Sequence, residues 1–505
     1  MLKFKEYIDK NGIDEKTVLE MIDAHSKIRA RMRKMYQRYK ADLDGPTIFS
    51  RSATAYEEKF ESGGNVLRID DKVNNKLNNA FDADIVDTKI GYMFGHPISY
   101  DVDDTNAALR SELESFLLRN NAEDNDSEYG KMAAICGYAA RLAYIDKAGD
   151  ERIKNIDPWE VIFLGDEIHE PDYSLRYFSR DDEIYAEFYD EIYIYFFKAN
   201  QGGQFNLQDI QPHMFDFNPL FGVANNKELK GDAEKVLNLI DGYDRTLSDA
   251  SNEIEQYRLA YLILRGMGAD EETLANLKKS GVFELFGEND DVRYLTKDIN
   301  DTMIENHLNR LEENILRFAK SVNFTDKSFG TQLSGVAMRF KLMALENKCI
   351  TMERKFTASL RYQFKVLFSA WSKRKGFSPD DYLKVFFGFK RNLPANILDE
   401  AQSTAQLKGH ISERTRLGLL SFVDDVEFEL EEMKKDAVLF GPALEPLDED
   451  DPDEEDLQED EKGSSGKTSE GSKPCTTCSG TGKVPSNITG NLIQCKTCKG
   501  TGVVG

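Results

Sequence analysis

The chain has no uninterrupted apolar run of about 18 residues, so no transmembrane helix is expected. Its start, Met1-Leu-Lys-Phe-Lys-Glu-Tyr7, lacks the apolar stretch and small-residue cleavage site of a secretory signal, which predicts a protein kept in the cytosol of its producing cell. Histidine is scarce: His25, His96, His169, His213, His307 and His410 are scattered and form no His-Glu-x-x-His spacing. There is no Gly-x-Ser-x-Gly elbow. Gly463-Ser-Ser-Gly466-Lys467-Thr468 echoes a phosphate-binding loop, but Glu461 stands where glycine is required and no strand signal precedes it. Paired acids such as Asp103-Asp104, Asp181-Asp182 and Asp424-Asp425 read as solvated faces in so acidic a chain. These absences predict a protein that is not an enzyme. Positive charge is also short: 65 Lys and Arg stand against 90 Asp and Glu, a net charge of −25. The stretch from Glu445 to Glu461 alone holds twelve acids and no base. General attraction to nucleic acid is excluded.

Cysteine is rare but concentrated. Cys136 and Cys349 stand alone in apolar surroundings and read as buried free thiols. The other four close the chain as Cys475-Thr-Thr-Cys478-Ser-Gly480-Thr-Gly482 and Cys495-Lys-Thr-Cys498-Lys-Gly500-Thr-Gly502. Two Cys-x-x-Cys pairs separated by a short loop match a structural zinc site, with disulfides or free thiols as the other readings. A module this small has no room for a core, so metal would supply its folding energy, roughly 10–16 kcal/mol. One structural zinc ion held by Cys475, Cys478, Cys495 and Cys498 is expected. The repeat resembles half of the cysteine-rich domain of the DnaJ chaperones, although no His-Pro-Asp signature of a J-domain is present, since His96-Pro97 runs into Ile98.

The body reads as α+β and predominantly helical. Residues 23–42 have helical spacing. Val66-Leu-Arg-Ile-Asp70, Ile98-Ser-Tyr-Asp-Val102 and Trp159-Glu-Val-Ile-Phe-Leu164 read as strands, and residues 184–199 as a hairpin. From Asp232 a heptad stripe runs through Val236, Ile240, Tyr243, Leu247, Ala250, Ile254, Tyr257, Tyr261 and Leu264, stopping at Gly266 and Gly268. A second stripe holds Ile304, Leu308, Leu311, Ile315, Phe318 and Val322. Periodicity alone fits either a bundle core or helices packed against copies of themselves. The tyrosines are bulky for a tight two-stranded seam. A helix is expected from Ser334 to Trp371, a strand from Phe386 to Pro394, and helices at 396–409 and 412–435, the last capped by Ser412. Residues 445–472 read as a disordered linker.

Several segments carry a family likeness. They are Asn74-Asn-Lys-Leu-Asn-Asn-Ala-Phe81 with Ile85-Val-Asp-Thr-Lys-Ile-Gly-Tyr-Met-Phe-Gly-His-Pro-Ile98, Ala134-Ile-Cys-Gly137 with Tyr144-Ile-Asp146 and Ile156-Asp-Pro-Trp-Glu-Val161, the stretch from Leu239 to Asn252, and Phe329-Gly-Thr-Gln-Leu-Ser-Gly-Val-Ala337. In order and spacing they resemble portal proteins of tailed bacteriophages, from about residue 30 to 435. The resemblance implies a ring, usually of twelve copies, at one capsid vertex, through which double-stranded DNA is packaged and ejected. It implies a wing at 1–231, a first stem helix at 232–266, a clip at 267–300, a second stem helix at 301–322, a tunnel loop at 323–333, a long helix returning to the wing at 334–395 and a crown at 396–440. An acidic linker at 441–473 and the zinc module at 474–505 would be appended.

Further expectations follow from the resemblance. Ile240, Tyr243, Leu247, Ile254, Tyr257, Tyr261, Ile304, Leu308, Leu311 and Ile315 would pack the stem. Leu277, Phe283, Phe286, Arg293 and Tyr294 would lie in the clip, where the terminase large subunit docks and later a head-completion adaptor. Asp326, Lys327, Ser328 and Phe329 would face DNA, with Lys327 either touching phosphates transiently or simply solvated. Other partners would be copies of the chain and the major capsid and scaffolding proteins, with no membrane. The protein would initiate procapsid assembly in the bacterial host cytoplasm and end in the virion. The alternative is a chaperone-like oligomeric protein-binding factor acting through its zinc tail. A DNA-binding zinc-ribbon factor is disfavoured by the acidity.

Overall fold

A carboxylate opens the first long helix. Asp14 accepts from the Thr17 N–H at 2.7 Å and caps α2 (Glu15–Tyr39), which follows α1 (Leu2–Asn11). Val18, Met21, His25, Met32 and Met35 recur at helical steps and are buried. The computed structural model describes residues 2–51, 74–102, 106–257, 261–265, 291–295, 301–324, 335–393, 397–420, 423, 426–440, 473–474, 483–485, 492–494, 497 and 503–504. The strand expected at 66–70 lies outside them. The chain forms two units, residues 1–395 and 396–505.

In the first unit α3 (Phe81–Phe94) leads to β1 (Ser99–Val102), the strand expected there. Helices α4 (Ala107–Arg119) and α5 (Ala122–Cys136) follow. Gly137, at φ 96, turns α5 into β2 (Tyr138–Ile145). A Cβ there would come 2.2 Å from the Leu229 carbonyl oxygen, so only glycine fits. Next come β3 (Glu151–Ile156), β4 (Val161–Leu164), β5 (Tyr173–Arg180), β6 (Glu183–Tyr189), β7 (Tyr193–Ala199), β8 (Phe205–Pro212) and β9 (Leu220–Ala224). Strands β4 to β8 form an antiparallel meander in chain order, and β2 lies between β3 and β9 in a second sheet. The hairpin read at 184–199 is β6–β7. Trp159 is a correction: it sits in a 3-10 turn primed by Pro158, and the strand begins at Val161. Leu175, Tyr177, Phe188 and Phe197 of the meander pack on Ile8, Val18 and Met21.

The centre of the unit is a 41-residue helix, Gly335–Lys375, numbered α8 below. It spans about 60 Å. Leu342, Leu345, Cys349, Met352, Phe356 and Leu360 enter one core cluster, and Phe364, Phe368 and Trp371 another. After it β12 (Val385–Gly388) pairs antiparallel with β1, Val385 opposite Val102. It ends before the expected Pro394. Cys136 and Cys349 are buried free thiols, as read.

In the second unit α9 (Ile397–Leu407) fits the 396–409 expectation. The single helix expected at 412–435 is corrected to two, α10 (Glu413–Leu417) and α11 (Val426–Phe440). Gly418, a poor helix former, stands at the break, and Ser412 caps α10 by accepting from the Thr415 N–H. Short strands β13 (Lys473–Pro474) and β16 (Val503–Val504) pair, as do β14 (Lys483–Pro485) and β15 (Leu492–Gln494).

Candidate functional site

The heptad stripes form a hairpin. Helix α6 (Leu237–Tyr257) leads to β10 (Tyr261–Arg265), and β11 (Asp291–Leu295) leads into α7 (Asp301–Ala319). Strands β10 and β11 are antiparallel, Tyr261 opposite Leu295. Ile240 near the start of α6 and Ile315 near the end of α7 share a buried cluster with Ile85 and Val236. This corrects the stem expectation at one end: Tyr261 and Leu264 lie on a strand rather than a helix. The Tyr-Leu-Ile-Leu run suits a paired strand, and cross-strand pairing outweighs the continuing heptad.

The stem residues differ in burial. Ile240 and Ile315 are fully buried, and Tyr243, Leu247, Ile304, Leu308 and Leu311 are half-buried. Ile254 is 64% exposed. Tyr257 ends α6. Arg293 and Tyr294 lie on β11 opposite Ile263 and Leu262. Leu277, Phe283 and Phe286, the tunnel-loop residues Asp326, Lys327, Ser328 and Phe329, and the four tail cysteines lie outside the described residues. Cys475 and Cys495 directly follow β13 and β15, and β14 and β16 follow the two knuckles, so paired strands bracket both.

Buried charge roots the hairpin. Arg38 of α2 donates to both carboxylate oxygens of Asp82 in α3 at 3.0 Å and to Asp241 in α6 at 2.9 Å. Burial raises the Asp82 pKa, and Arg38 opposes it. A second knot joins Asp232, just before α6, to Lys89 of α3 at 3.1 Å and Lys348 of α8 at 3.3 Å. Burial pushes the Asp232 pKa up, but Lys89 and Lys348, together with the hydrogen bond from Asn225, more than offset this and hold it below the usual range. Lys348 also donates to the Ala319 carbonyl at 2.9 Å, closing the C-terminus of α7 where a cation is favoured. Both ends of the hairpin are therefore fixed to α3 and α8.

One feature of the hairpin is not evident from the sequence. The extended segment 74–80 lies along α6, tied by alternate backbone N–H groups. Asn75 donates to Asn252 Oδ1 at 2.7 Å, Leu77 to Ser248 Oγ at 3.0 Å and Asn79 to Asp244 Oδ1 at 3.0 Å. The signal was present as Asp244, Ser248 and Asn252, polar residues one turn apart beside a heptad stripe.

The hairpin is acidic. Helix α6 carries Asp241, Asp244, Asp249, Glu253 and Glu255 against Arg245; α7 carries Asp301, Glu305, Glu312 and Glu313 against Arg310 and Arg317. Among the described residues no helix is long and apolar enough to cross a membrane.

Comparison with known proteins gives the family. Residues 19–437 match the family described as phage portal protein, SPP1 Gp6-like, and the chain belongs to it. It is 25% identical over 433 residues to the portal protein of Bacillus phage SPP1, covering 80% of this chain and 84% of that one. It is 26% identical over 383 residues to the portal protein of Clostridium phage phiCD119, covering 70% and 83% respectively. These matches support phage portal function and fit a non-catalytic protein. The chaperone-like alternative receives no support from them.

Proposed function

We propose that this chain is one subunit of a closed ring, of about twelve copies, at one vertex of a phage capsid. Double-stranded DNA passes through the central channel during packaging and ejection. The observation that carries this reading is the acidic hairpin, rooted by buried ion pairs in a chain of the portal family. A stem with a half-buried apolar stripe and an exposed Ile254 gains by packing against neighbouring copies, and a ring leaves no end unpaired. An acidic wall repels phosphate and lets a duplex slide without fixed contacts.

In this reading residues 1–231 with the strand near Phe386 form the wing, α6 and α7 the stem, 267–300 (which includes β11) with the adjoining β10 the clip, 323–333 the tunnel loop and 396–440 the crown. The clip, with Leu277, Phe283, Phe286, Arg293 and Tyr294, receives the terminase large subunit and later the head-completion adaptor. The ATPase of that motor supplies the energy for DNA movement. Asp326, Lys327, Ser328 and Phe329 face DNA. Scaffolding and major capsid proteins assemble around the ring in the host cytoplasm, and the ring ends in the virion.

The tail is a separate zinc module. Its four thiols, Cys475, Cys478, Cys495 and Cys498, are a closed structural donor set for one ion, and the paired strands around them suit a small metal-stapled fold.

Negative-stain electron microscopy with mass photometry on the full-length protein tests the ring. Particles with a central hole and a mass near a dozen subunits are expected. Monomers or dimers at assembly concentrations would overturn it.

A further inference from the structure

A cavity of about 520 Å³ opens in the first unit beside the β6–β7 turn. Aromatic rings wall it: Tyr173 on β5, Tyr193 and Tyr195 on β7, Phe217 before β9 and Tyr362 on α8. Its charged lining is all acidic: Glu170 and Asp172 before β5, and Asp190 and Glu191 in the β6–β7 turn.

The first pair of acids is already answered. Lys365 Nζ lies 2.5 Å from Glu170, and Lys5 Nζ lies 2.7 Å from Asp172. Lys365 also stands 4.5 Å from the centre of the Phe217 ring and 5.8 Å from that of Tyr362. The chain thus seats a cation of its own on two of the cavity's rings. The second pair, in the β6–β7 turn, has aromatic neighbours but no lysine or arginine in the lining. Asp190 accepts from the Ile192 and Tyr193 N–H groups at 2.7 and 2.6 Å and from the Tyr195 hydroxyl at 3.1 Å. These are neutral donors, so its charge is held in place but not cancelled. No lysine or arginine of the lining answers Asp190 or Glu191. Burial first, and then Glu170, Asp172 and Glu191, push the Tyr362 hydroxyl pKa up.

The lip is apolar where a turn is ordinarily polar. Ile192 and Tyr193 are 51% and 42% exposed. Met214, 63% exposed, follows His213, whose N–H donates to the Ile192 carbonyl at 3.1 Å.

We propose that this cavity receives one lysine or arginine side chain from a basic peptide segment of a partner protein. The ring faces of Tyr193 and Tyr195 carry negative quadrupole density and attract a cation, while Asp190 and Glu191 supply the opposite full charge. The volume suits a side chain rather than a folded element. The exposed Ile192, Tyr193 and Met214 contact the apolar stems of residues flanking the inserted cation. Nucleic acid is excluded, because its phosphates carry the same sign as the lining.

The test uses the full-length protein and a fluorescein-labelled Gly-Arg-Lys-Arg-Gly peptide, with fluorescence polarisation at physiological ionic strength. A peptide with citrulline and norleucine in place of the cations is the neutral control. The site variant is Glu191→Gln with Tyr193→Ser, two exposed positions, with circular dichroism confirming that the variant is folded. A charge-matched variant, Asp182→Asn, removes one exposed acid from the β5–β6 turn instead. The expected result is saturable binding of the basic peptide, at least about tenfold weaker in the site variant and changed less than about twofold in the charge-matched variant. Equal weakening in both variants, or no weakening in the site variant, would show general attraction to an acidic surface and overturn the proposal. Equal binding of the neutral peptide, or no binding of the basic one, would overturn it as well.

Discussion

Arg38 is 1% exposed and holds three elements through one guanidinium. Replacing it with methionine fills much of the space but leaves Asp82 buried without its counter-charge. Breaking such a pair from one side costs about 3–5 kcal/mol, and urea unfolding of Arg38→Met should show a loss of that size. His25 gives a pH dependence. It is buried, its ring nitrogens lie 2.8 Å from the Tyr177 hydroxyl and 3.3 Å from the Tyr138 hydroxyl, and burial followed by Arg29 and Arg31 lowers its pKa to about 4. The unfolded value is higher, near 6.5. As pH falls below that value the unfolded chain takes up a proton that the folded chain refuses, so stability drops until the folded pKa is reached. The His25 share of that loss is about 2 kcal/mol by pH 5. A His25→Gln variant lacks this share, so the stability gap between it and the native chain should narrow from pH 7 to pH 5, measured by denaturant midpoints.

At the scale of elements, the strap of residues 74–80 fits α6 because two periods coincide. Four helical residues rise about 6 Å, and two extended residues rise about 6.6 Å. Every second N–H of the strap therefore meets every fourth side chain of the helix. Asp244 is the strongest tie, accepting from both the backbone N–H and the side-chain Nδ2 of Asn79. Asp244→Ala leaves those donors unpaired and should destabilise by about 1–3 kcal/mol. Hydrogen exchange at Asn75, Leu77 and Asn79 should accelerate with it, while exchange in the β4–β8 meander stays unchanged. An unchanged rate at those amides would refute the strap's dependence on α6.

For the whole molecule, the match to the portal family ends at residue 437, before the acidic run and the cysteine-rich tail. Deleting residues 441–505 should leave ring assembly intact; a truncated protein that stays monomeric by light scattering would contradict this. Metal analysis of the full-length protein should find one zinc per chain. Replacing Cys478 and Cys498 with serine should abolish it without moving the melting transition of the body. The net charge of −25 predicts that the assembled protein does not retain linear DNA in a gel-shift at physiological salt.

The sequence by itself determined much of this. Apolar periodicity marked α6, α7 and α8, and the β-branched and aromatic runs marked β1 and the β6–β7 hairpin, because burying one face imposes a period that a single chain displays. Ordered short motifs pointed to the portal family, and the six cysteines separated into two lone ones in apolar surroundings and four paired in the tail. Tertiary structure decided the rest. The heptad stripe runs on past Tyr257, yet Tyr261 pairs across a ladder with Leu295, since a local pattern records a burial face and not which partner covers it. Arg38, Asp82 and Asp241 are ordinary surface residues in the sequence, far apart along the chain. Only folding brings them within 3.0 Å, where low dielectric makes their pairing matter. The cavity beside β7 is of the same kind, because its walls come from two strands, three connecting segments and a helix whose meeting no local pattern encodes.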